Sequence, residues 1–413
     1  GTINEATPDF SLNYGTINEA TPDFSLNYGT INEATPDGYA PCSGTDHSGA
    51  DWSPTGTILG DHCNVGKFII PPTATVIAGG TLRVFAKSAD IKGLLSADGK
   101  GYGLNSGPGK GEYSSSSSVS GAGYGGLGAP GGAYTNPGIT YGSLTKPIDL
   151  GSGGGGPSTW PSSRSTGGGA IFLNIINALK VDGVISANGE RTTTSGSVGG
   201  SSGGSIWIIT SSISGAGTIK AEGSIGGGGG GRIAVYYDSD SSSVSYRAYG
   251  RNLAGAGTIF LKPKQSGTGN YGTLRVVGTD ITGQTPISSK ITISNLVLGD
   301  GAWVTLSSDV NAAGDGEFSL SSGTATLEIP KGNILDFKTI NIPSGTTLYA
   351  GKSDQGNIHK YSLSLEADSA IINGLISADG KGYGLNSGPG KGEYSESSSS
   401  SSGAGYGGLG APG

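Results

Sequence analysis

The sequence predicts an all-β protein of stacked coils, in the manner of a parallel β-helix or β-solenoid. Three runs of alternating apolar and polar residues, 170–181, 205–214 and 232–237, each follow a glycine stretch. Such alternation is the period of a strand with one buried face. The runs recur at intervals of roughly 30 residues, as expected for units that bury their apolar faces against one another. Long loops rich in Gly, Ser and Tyr and an extended N-terminal arm complete the predicted architecture.

Alignment of these runs on the isoleucine that follows each glycine stretch predicts which side chains stack in the interior. The shorter sequences GVISANG (183–189) and GTIKAEG (217–223) align in the same way. If the aligned residues fall on different faces, the solenoid prediction is wrong. The predicted core ladder comprises Ile171, Ile206 and Ile233, then Leu173, Ile208 and Val235, and finally Ile185 and Ile219.

Composition limits the classes of function. Among 413 residues, 81 are glycine and 19 are proline, nearly a quarter of the chain. This richness borders on low complexity, but the regular recurrence of Ile, Val and Leu favours ordered β structure. Charged residues make up 13% and the formal net charge is −7. We therefore expect neither a nucleic-acid partner nor binding to an anionic membrane surface, and no apolar run has the length of a membrane-spanning helix.

Residues 1–37 are predicted to be an extended arm built from a repeated 14-residue sequence. GTINEATPDFSLNY occurs twice without change, and GTINEATPD follows a third time. Identical copies carry none of the variation that core packing requires. Two interpretations stay open, a flexible tail and an arm that pairs with a strand of a neighbouring molecule.

Residues 38–66 are predicted to form a cap loop rich in Cys, His and Asp. Cys42 and Cys63 are the two cysteines of the chain, and we expect them to form a disulfide. His47, Asp51 and His62 are weak candidates for metal ligands, because imidazole and carboxylate together suit zinc. Their spacing matches no known ligand motif, so a disulfide-closed loop with surface histidines is favoured and no metal site is predicted.

The remaining chain divides into three predicted regions. Residues 67–265 form the glycine-rich solenoid, including a long loop at 100–169 whose aromatic side chains are expected to dock on the coils or on a neighbouring chain. Residues 266–350 are a β-rich segment of short strands. Residues 351–413 begin a second tandem copy, since Gly93–Gly131 recurs almost verbatim from Gly374, 281 positions later. Because the chain contains no methionine, we expect it to be a mature or excised segment of a tandem array.

Polar residues at repeated positions do not form a recognisable catalytic set. Side chains stacked before a glycine are better explained as a polar ladder or as turn formers. The glycine run 226–231 lacks the Lys-Ser/Thr ending of a phosphate-binding loop and leads into a strand. The stacked polar positions are Asp98, Asn188, Glu222 and Asp379. The nearest candidates for calcium ligands are Asp98, Asp238 and Asp240. The tryptophans whose rings could stack on a sugar are Trp52, Trp160, Trp207 and Trp303.

The pattern IxGxIxAxG, followed by a glycine-rich excursion and GGxI, resembles the glycine-rich β-solenoid repeats of large secreted or surface-attached microbial proteins. Those proteins are adhesin-like or fibre-forming. The resemblance covers roughly residues 68–265 and 340–413, and its motifs specify architecture better than function. It implies an extracellular structural or adhesive element without catalytic residues.

Three functions are compatible with the sequence. The first is a structural segment of an extracellular fibre or surface assembly that self-associates through strands and glycine-rich packing. The second is an adhesin that binds glycans or a cell surface through the tyrosine-rich tract. The third, a polysaccharide-degrading enzyme on a β-helix, is the least favoured, so we expect no enzyme activity. No cofactor is expected beyond the weak calcium candidates.

Overall fold

The computed structural model describes residues 42–114, 118–131, 135–157, 165–191, 198–264, 271–278, 283–351, 361–382, 388–392, 394–395 and 400–405. The chain divides into two compact units, Gly1–Cys42 and Ser43–Gly413. Of the first unit only Cys42 is described, so the predicted N-terminal arm lies outside the described residues.

The fold is all-β, as predicted: the described residues form strands, turns and extended segments and contain no helix. None of them therefore forms a helix suited to crossing a membrane. The strands up to residue 263 are β1 Thr45–Asp46, β2 Gly56–Ile70, β3 Thr75–Ile91, β4 Leu94–Ser96, β5 Ser165–Thr166, β6 Ala170–Val181, β7 Val184–Ser186, β8 Glu190–Arg191, β9 Ser205–Ser214, β10 Thr218–Lys220, β11 Arg232–Tyr237, β12 Ser239–Asp240, β13 Ser245–Arg247 and β14 Thr258–Pro263. The strands after it are β15 Thr273–Val277, β16 Gln284–Ile287, β17 Ile291–Ile293, β18 Asn295–Gly299, β19 Ala302–Leu306, β20 Val310–Ala312, β21 Glu317–Leu320, β22 Thr324–Pro330, β23 Leu335–Ile342, β24 Thr347–Ala350, β25 Tyr361–Ser362, β26 Leu365–Ile372, β27 Leu375–Ser377, β28 Tyr394–Ser395 and β29 Ser400–Ser401.

The longest parallel row runs through β2, β3, β6, β9, β11 and β14. In this row Ile171 lies opposite Ile206, and Ile206 lies opposite Ile233. Leu82 and Ile259 extend the same line at its two ends. Because the register is constant, each inward side chain stacks on an inward side chain of the next strand.

A second parallel row runs from the start of β3 through β4, β7, β10 and β13. Leu95 lies opposite Ile185, which lies opposite Ile219. The chain passes from the first row to the second across short corners, such as the two residues between Val181 and Val184. Both rows are therefore built from the same successive segments of sequence.

The two rows enclose one apolar core. All eight residues of the predicted ladder belong to a single buried cluster, together with Leu82, Val84, Ile91 and Leu95. Full burial of a Leu, Ile or Val side chain contributes about 1.5–3 kcal/mol to folding. The alternation in the sequence thus places these side chains in the core, where their burial stabilises the fold.

The stacking direction changes between β14 and β15. These strands are antiparallel, with Ile259 opposite Arg275. Parallel pairing then resumes through β15, β18, β21, β23 and β26 and, in a separate sheet, through β16, β19, β22, β24 and β27. The segment predicted only as β-rich is therefore a second parallel stack, and none of the sheets in the described residues is closed.

Strand β2 crosses the predicted boundary at residue 66. It begins at Gly56, and Cys63 and Val65 are buried in it. The sequence concealed this strand because Gly60, Asp61 and His62 interrupt its alternation. Of the described residues before Gly56, those outside the short strand β1 have the loop character expected for 38–66.

Candidate functional site

A layer of glycine-rich segments is the most distinctive feature of the described structure. Four segments form it, and we call them the glycine layer: 121–129, 151–156, 199–204 and 226–231. None of them is a strand. Their amides nevertheless donate to carbonyls on other segments of the chain, so this part of the protein is ordered by its backbone.

In the segment 199–204, amides that are three residues apart donate to the same neighbouring segment in two cases, to 152–155 and to 226–229. A strand directs its amides to two sides in turn, whereas a polyproline II helix has three residues per turn and no internal bonds. The segment therefore has neighbours in several directions, as a polyproline II-like chain does. The bonds are Gly199 to Gly155 and Ser202 to Ser152, then Gly200 to Gly226 and Gly203 to Gly229, then Ser201 to the Ser224 hydroxyl and Gly204 to Ala187.

Glycine is required in this layer because the backbones touch. A Cβ atom on Gly121 would overlap the carbonyl of Gly227, and one on Gly199 would overlap the carbonyl of Ser120. Neither residue needs a left-handed backbone, so the constraint is space alone. The opposing atoms belong to main chain, which moves less readily than a side chain.

The hydroxyl of Tyr124 joins the tract 100–169 to the parallel strands, whereas the hydroxyl of Tyr141 bonds within the tract. The hydroxyl of Tyr124 lies 2.6 Å from Ser205 Oγ, at the start of β9. The hydroxyl of Tyr141 donates to the carbonyl of Leu150 at 2.6 Å. Burial raises the pKa of both phenols, so both stay protonated as donors.

Arg232 is the charged residue at the centre of this junction. It is 4% exposed. Its Nε donates to the carbonyl of Tyr141 at 3.0 Å, its Nη1 to Thr258 Oγ1 at 3.1 Å and its Nη2 to the carbonyl of Tyr124 at 3.4 Å. The guanidinium also lies 5.5 Å from the Tyr124 ring centroid. Burial lowers the pKa of Arg232, and these oxygens offset part of the cost of burying its charge.

Docking of the tract was expected for all its aromatic residues, and it holds for some of them. Tyr124 and Tyr141 are docked, whereas Tyr102 and Tyr113 are 40% and 43% exposed. Tyr134 and Trp160 lie outside the described residues. Arg232 was missed, although an arginine between six glycines and the apolar run IAVYY is a signal for a specific role.

Trp207 lies on the outer face of β9, as its phase in the strand indicates, but it is buried. Its ring centroid is 4.6 Å from that of Phe172. Next to it, the hydroxyl of Tyr236 donates to the carbonyl of Thr145 at 2.9 Å. The tract therefore covers this face, and Trp207 offers no surface to a sugar. Of the other candidates, Trp303 is half-buried.

The predicted polar ladder is confirmed for three of its four positions. Asp98 Oδ1 accepts from the amide of Asn188 at 2.6 Å, and Asn188 Oδ1 accepts from the amide of Glu222 at 2.8 Å. Glu222 then pairs with Arg251 at 2.6 Å. These side chains therefore join segments that follow the neighbouring parallel strands β4, β7 and β10. The fourth position, Asp379, belongs to the second copy and lies beside Ser377, whose Oγ accepts from its amide at 3.1 Å.

The N-terminal candidates come together as an aromatic cluster. His47 Nε2 and His62 Nδ1 are 3.1 Å apart, and Trp52 stacks on His62 with a centroid distance of 4.1 Å. Burial, and next the nearby His47, lower the pKa of His62. Cys42 and Cys63 form a disulfide, as expected.

Of the three weak metal candidates, His47 and His62 lie together, whereas the Asp51 carboxylate is bound elsewhere. Asp51 Oδ1 accepts from the amide of Lys67 at 2.8 Å, which ties Asp51 to β2. Among the described residues, no three His, Cys, Asp or Glu side chains are placed to hold an ion. Of the calcium candidates, Asp238 pairs with Lys264 at 3.0 Å, and Asp240 accepts from the amide of Ser242.

Comparison of the chain with protein-family models, with curated proteins and with solved structures found no match.

Proposed function

We propose that this chain is a β-solenoid-like structural element of an extracellular or cell-surface assembly, which grows by stacking of repeat units. The observation that carries the proposal is the constant register from Leu82 through Ile171, Ile206 and Ile233 to Ile259. A stack of this kind has no intrinsic length, because each unit contacts only its neighbours.

The path of the chain supports coils. A long strand such as β6 is followed by a short corner and a short strand such as β7, and a glycine-rich excursion then leads to the next long strand, β9. The same order occurs from β9 through β10 to β11. Two such circuits, with both rows facing one core, are the pattern expected of solenoid coils.

The disulfide favours an extracellular location. The Cys42–Cys63 disulfide is of the kind that persists in oxidising compartments.

The glycine layer and the polar ladder give the chain a scaffold held by backbone and short side-chain bonds. We further propose that the protein is not an enzyme, since Asp98 and Glu222, two of the four stacked polar positions, are engaged in holding the polar ladder together.

Glycan binding is the second candidate function, favoured by one observation. Tyr102 and Tyr113 expose their rings on the tyrosine-rich tract, and exposed aromatic faces are suited to stacking on sugars. A glycan array with the native chain and a Tyr102→Ala/Tyr113→Ala variant tests it. Signals that are the same for both proteins, or absent for both, contradict this role.

Electron microscopy and light scattering of the full chain test the structural proposal. We expect filaments or ordered arrays that lengthen as protein concentration rises. Val235→Asp is the matched control, since it places a charge in the core ladder of apolar residues and should prevent ordered assembly. Dispersed monomers of the native chain at high concentration contradict the proposal.

A further inference from the structure

We propose that β26 and β27 are one half of an interface that receives a strand pair equivalent to β6 and β7 from a further repeat unit. We call β26 and β27 the open edge. The inference rests on the proposed assembly by stacking, and it names the surface at which one repeat unit meets the next.

The open edge repeats the sequence of an interior part of the fold. LSLEADSAII at 363–372 corresponds to LRVFAKSADI at 82–91, and GLISADGK at 374–381 corresponds to GLLSADGK at 93–100. Strand β26 thus takes the place of the end of β3, and β27 takes the place of β4. In both copies the two strands are also parallel to the strands that precede them. In the second copy, β26 pairs with β23 and β27 pairs with β24.

Burial differs sharply between equivalent residues. Ile91 and Leu95 are 0% exposed, whereas Ile372 and Ile376, 281 positions later, are 50% and 40% exposed. In the first copy the covering residues are known: Val181 of β6 lies opposite Ile91, and Ile185 of β7 lies opposite Leu95. In the first copy, β6 and β7 therefore cover the equivalent residues.

Backbone groups of the first copy specify how the covering strands attach. The carbonyl of Ile91 accepts from the amides of Asp182 and Gly183 at 2.9 and 2.8 Å, and that of Gly93 accepts from Val184 at 2.9 Å. The equivalent carbonyls belong to Ile372 and Gly374. In the described residues, β26 pairs with β23 and β27 pairs with β24, each on one side only.

A side-chain contact marks the same surface independently. Asp98 accepts from the backbone and side-chain amides of Asn188, just after β7. Its equivalent Asp379 has the same local geometry: each aspartate amide donates to the serine two residues earlier at 3.1 Å. Asp379 is exposed, so it presents the carboxylate that an Asn188 equivalent would bind.

Two differences between the copies refine the interface. Ile371 replaces Asp90, which pairs with Lys67 and Lys92 in the first copy, so the second copy is more apolar at this point. Glu366 and Asp368 replace Phe85 and Lys87 on the strand. Charges on an edge strand discourage unspecific pairing, so the apolar residues near the end of β26 carry the recognition.

The occupant is a repeat-unit strand pair and not the N-terminal end of a second intact chain. At that end β2 is already paired, since His62 and Cys63 lie opposite Thr45 and Asp46. Trp52 also bridges to Phe68. In the described residues this edge of β2 is thus occupied from His62 to Ile69, and β26 cannot pair along the whole strand.

The test extends the full chain after Gly413 with a second copy of residues 132–191, which supplies β6 and β7 in their natural spacing. Hydrogen exchange is measured for residues 365–377 in dilute, monomeric protein. We expect exchange to slow by at least about tenfold, because edge amides become interior ones. The matched control carries Asp at the positions of the extension equivalent to Leu179 and Val181, which face Ala89 and Ile91 in the first copy.

Unchanged exchange with the native extension, or equal slowing with the control extension, overturns the inference. Slowing that instead occurs in the unextended chain as concentration rises also overturns it, since a second intact chain would then be the occupant. Asp379→Ala in the extended chain should weaken the protection partly. Because exchange is measured on monomers and filaments are imaged separately, failure of this interface is distinguishable from failure of the structural role.

Discussion

Ile171 and Ile206 lie opposite one another in adjacent parallel strands, and both side chains are at most 1% exposed. They continue into a line of apolar residues that crosses the first stack. A defect in the middle of this line leaves a cavity that neighbours on both sides cannot fill, because their positions are fixed by the register.

Ile206→Ala should therefore lower the free energy of unfolding by about 2–5 kcal/mol, as large-to-small core substitutions do. Urea unfolding followed by circular dichroism measures it. Leu59→Ala is the matched control: Leu59 is 66% exposed on β2, and its loss should change stability by at most about 0.5 kcal/mol. Equal effects of the two substitutions would contradict the placement of Ile206 in the core.

The glycine layer gives a second prediction. Gly121→Ala places a methyl group against the carbonyl of Gly227, and we expect a loss of about 1–3 kcal/mol from the strain of overpacking. Gly103→Ala is the control, because nothing lies within 4 Å of a Cβ built there. It should be neutral or stabilise the chain by up to about 1 kcal/mol through the unfolded state. Thermal unfolding of both variants distinguishes close packing from a general intolerance of alanine.

Much of the first stack could be predicted from the sequence because strands have a period of two and the sequence pattern of the strands repeats. That period placed Ile171, Ile206 and Ile233 in one line and Trp207 on the opposite face. The partners within the glycine layer could not be predicted. A run such as 226–231 carries no side chains, so its sequence holds no information about which carbonyl each amide meets.

Other features were hidden for local reasons. The antiparallel step between Ile259 and Arg275 depends on how the chain turns between two strands of similar pattern. The beginning of β2 was hidden by polar residues within the strand. The junction at Arg232 joins residues about 90 to 110 positions apart, as the bonds to Tyr141 and Tyr124 show, and no short-range pattern encodes such a contact.

Arg232→Lys tests that junction. A lysine cannot donate in the fork that reaches Tyr141, Thr258 and Tyr124, so buried acceptors lose their partners, and we expect a loss of about 1–3 kcal/mol. Hydrogen exchange should quicken most in the segment 121–129, which Arg232 holds to the strands. Arg247→Lys is the control, since Arg247 is exposed on β13. If both variants behave alike, the guanidinium geometry does not hold the tract in place.

Stability should also depend on pH through His62. Burial, and then the charge of His47, lower the pKa of His62 below its ordinary value of 6.5. Between that value and the lower folded pKa, the unfolded chain binds a proton that the folded chain does not. The contribution is therefore fully present above pH 6.5 and is lost as pH falls through the folded pKa.

Urea midpoints of the native chain and of His62→Phe, measured from about pH 8 to about pH 5, check this expectation, because that interval spans the ordinary histidine pKa. Phenylalanine keeps a ring against Trp52, which stacks on His62, and it cannot titrate. The native chain should lose more stability on acidification than the variant. Groups far from His62 contribute equally to both proteins, whereas His47, whose Nε2 lies 3.1 Å from His62 Nδ1, belongs to the same cluster. The difference between the curves therefore reports His62 together with its contact to His47. Parallel curves would mean that His62 titrates alike in the folded and unfolded chains.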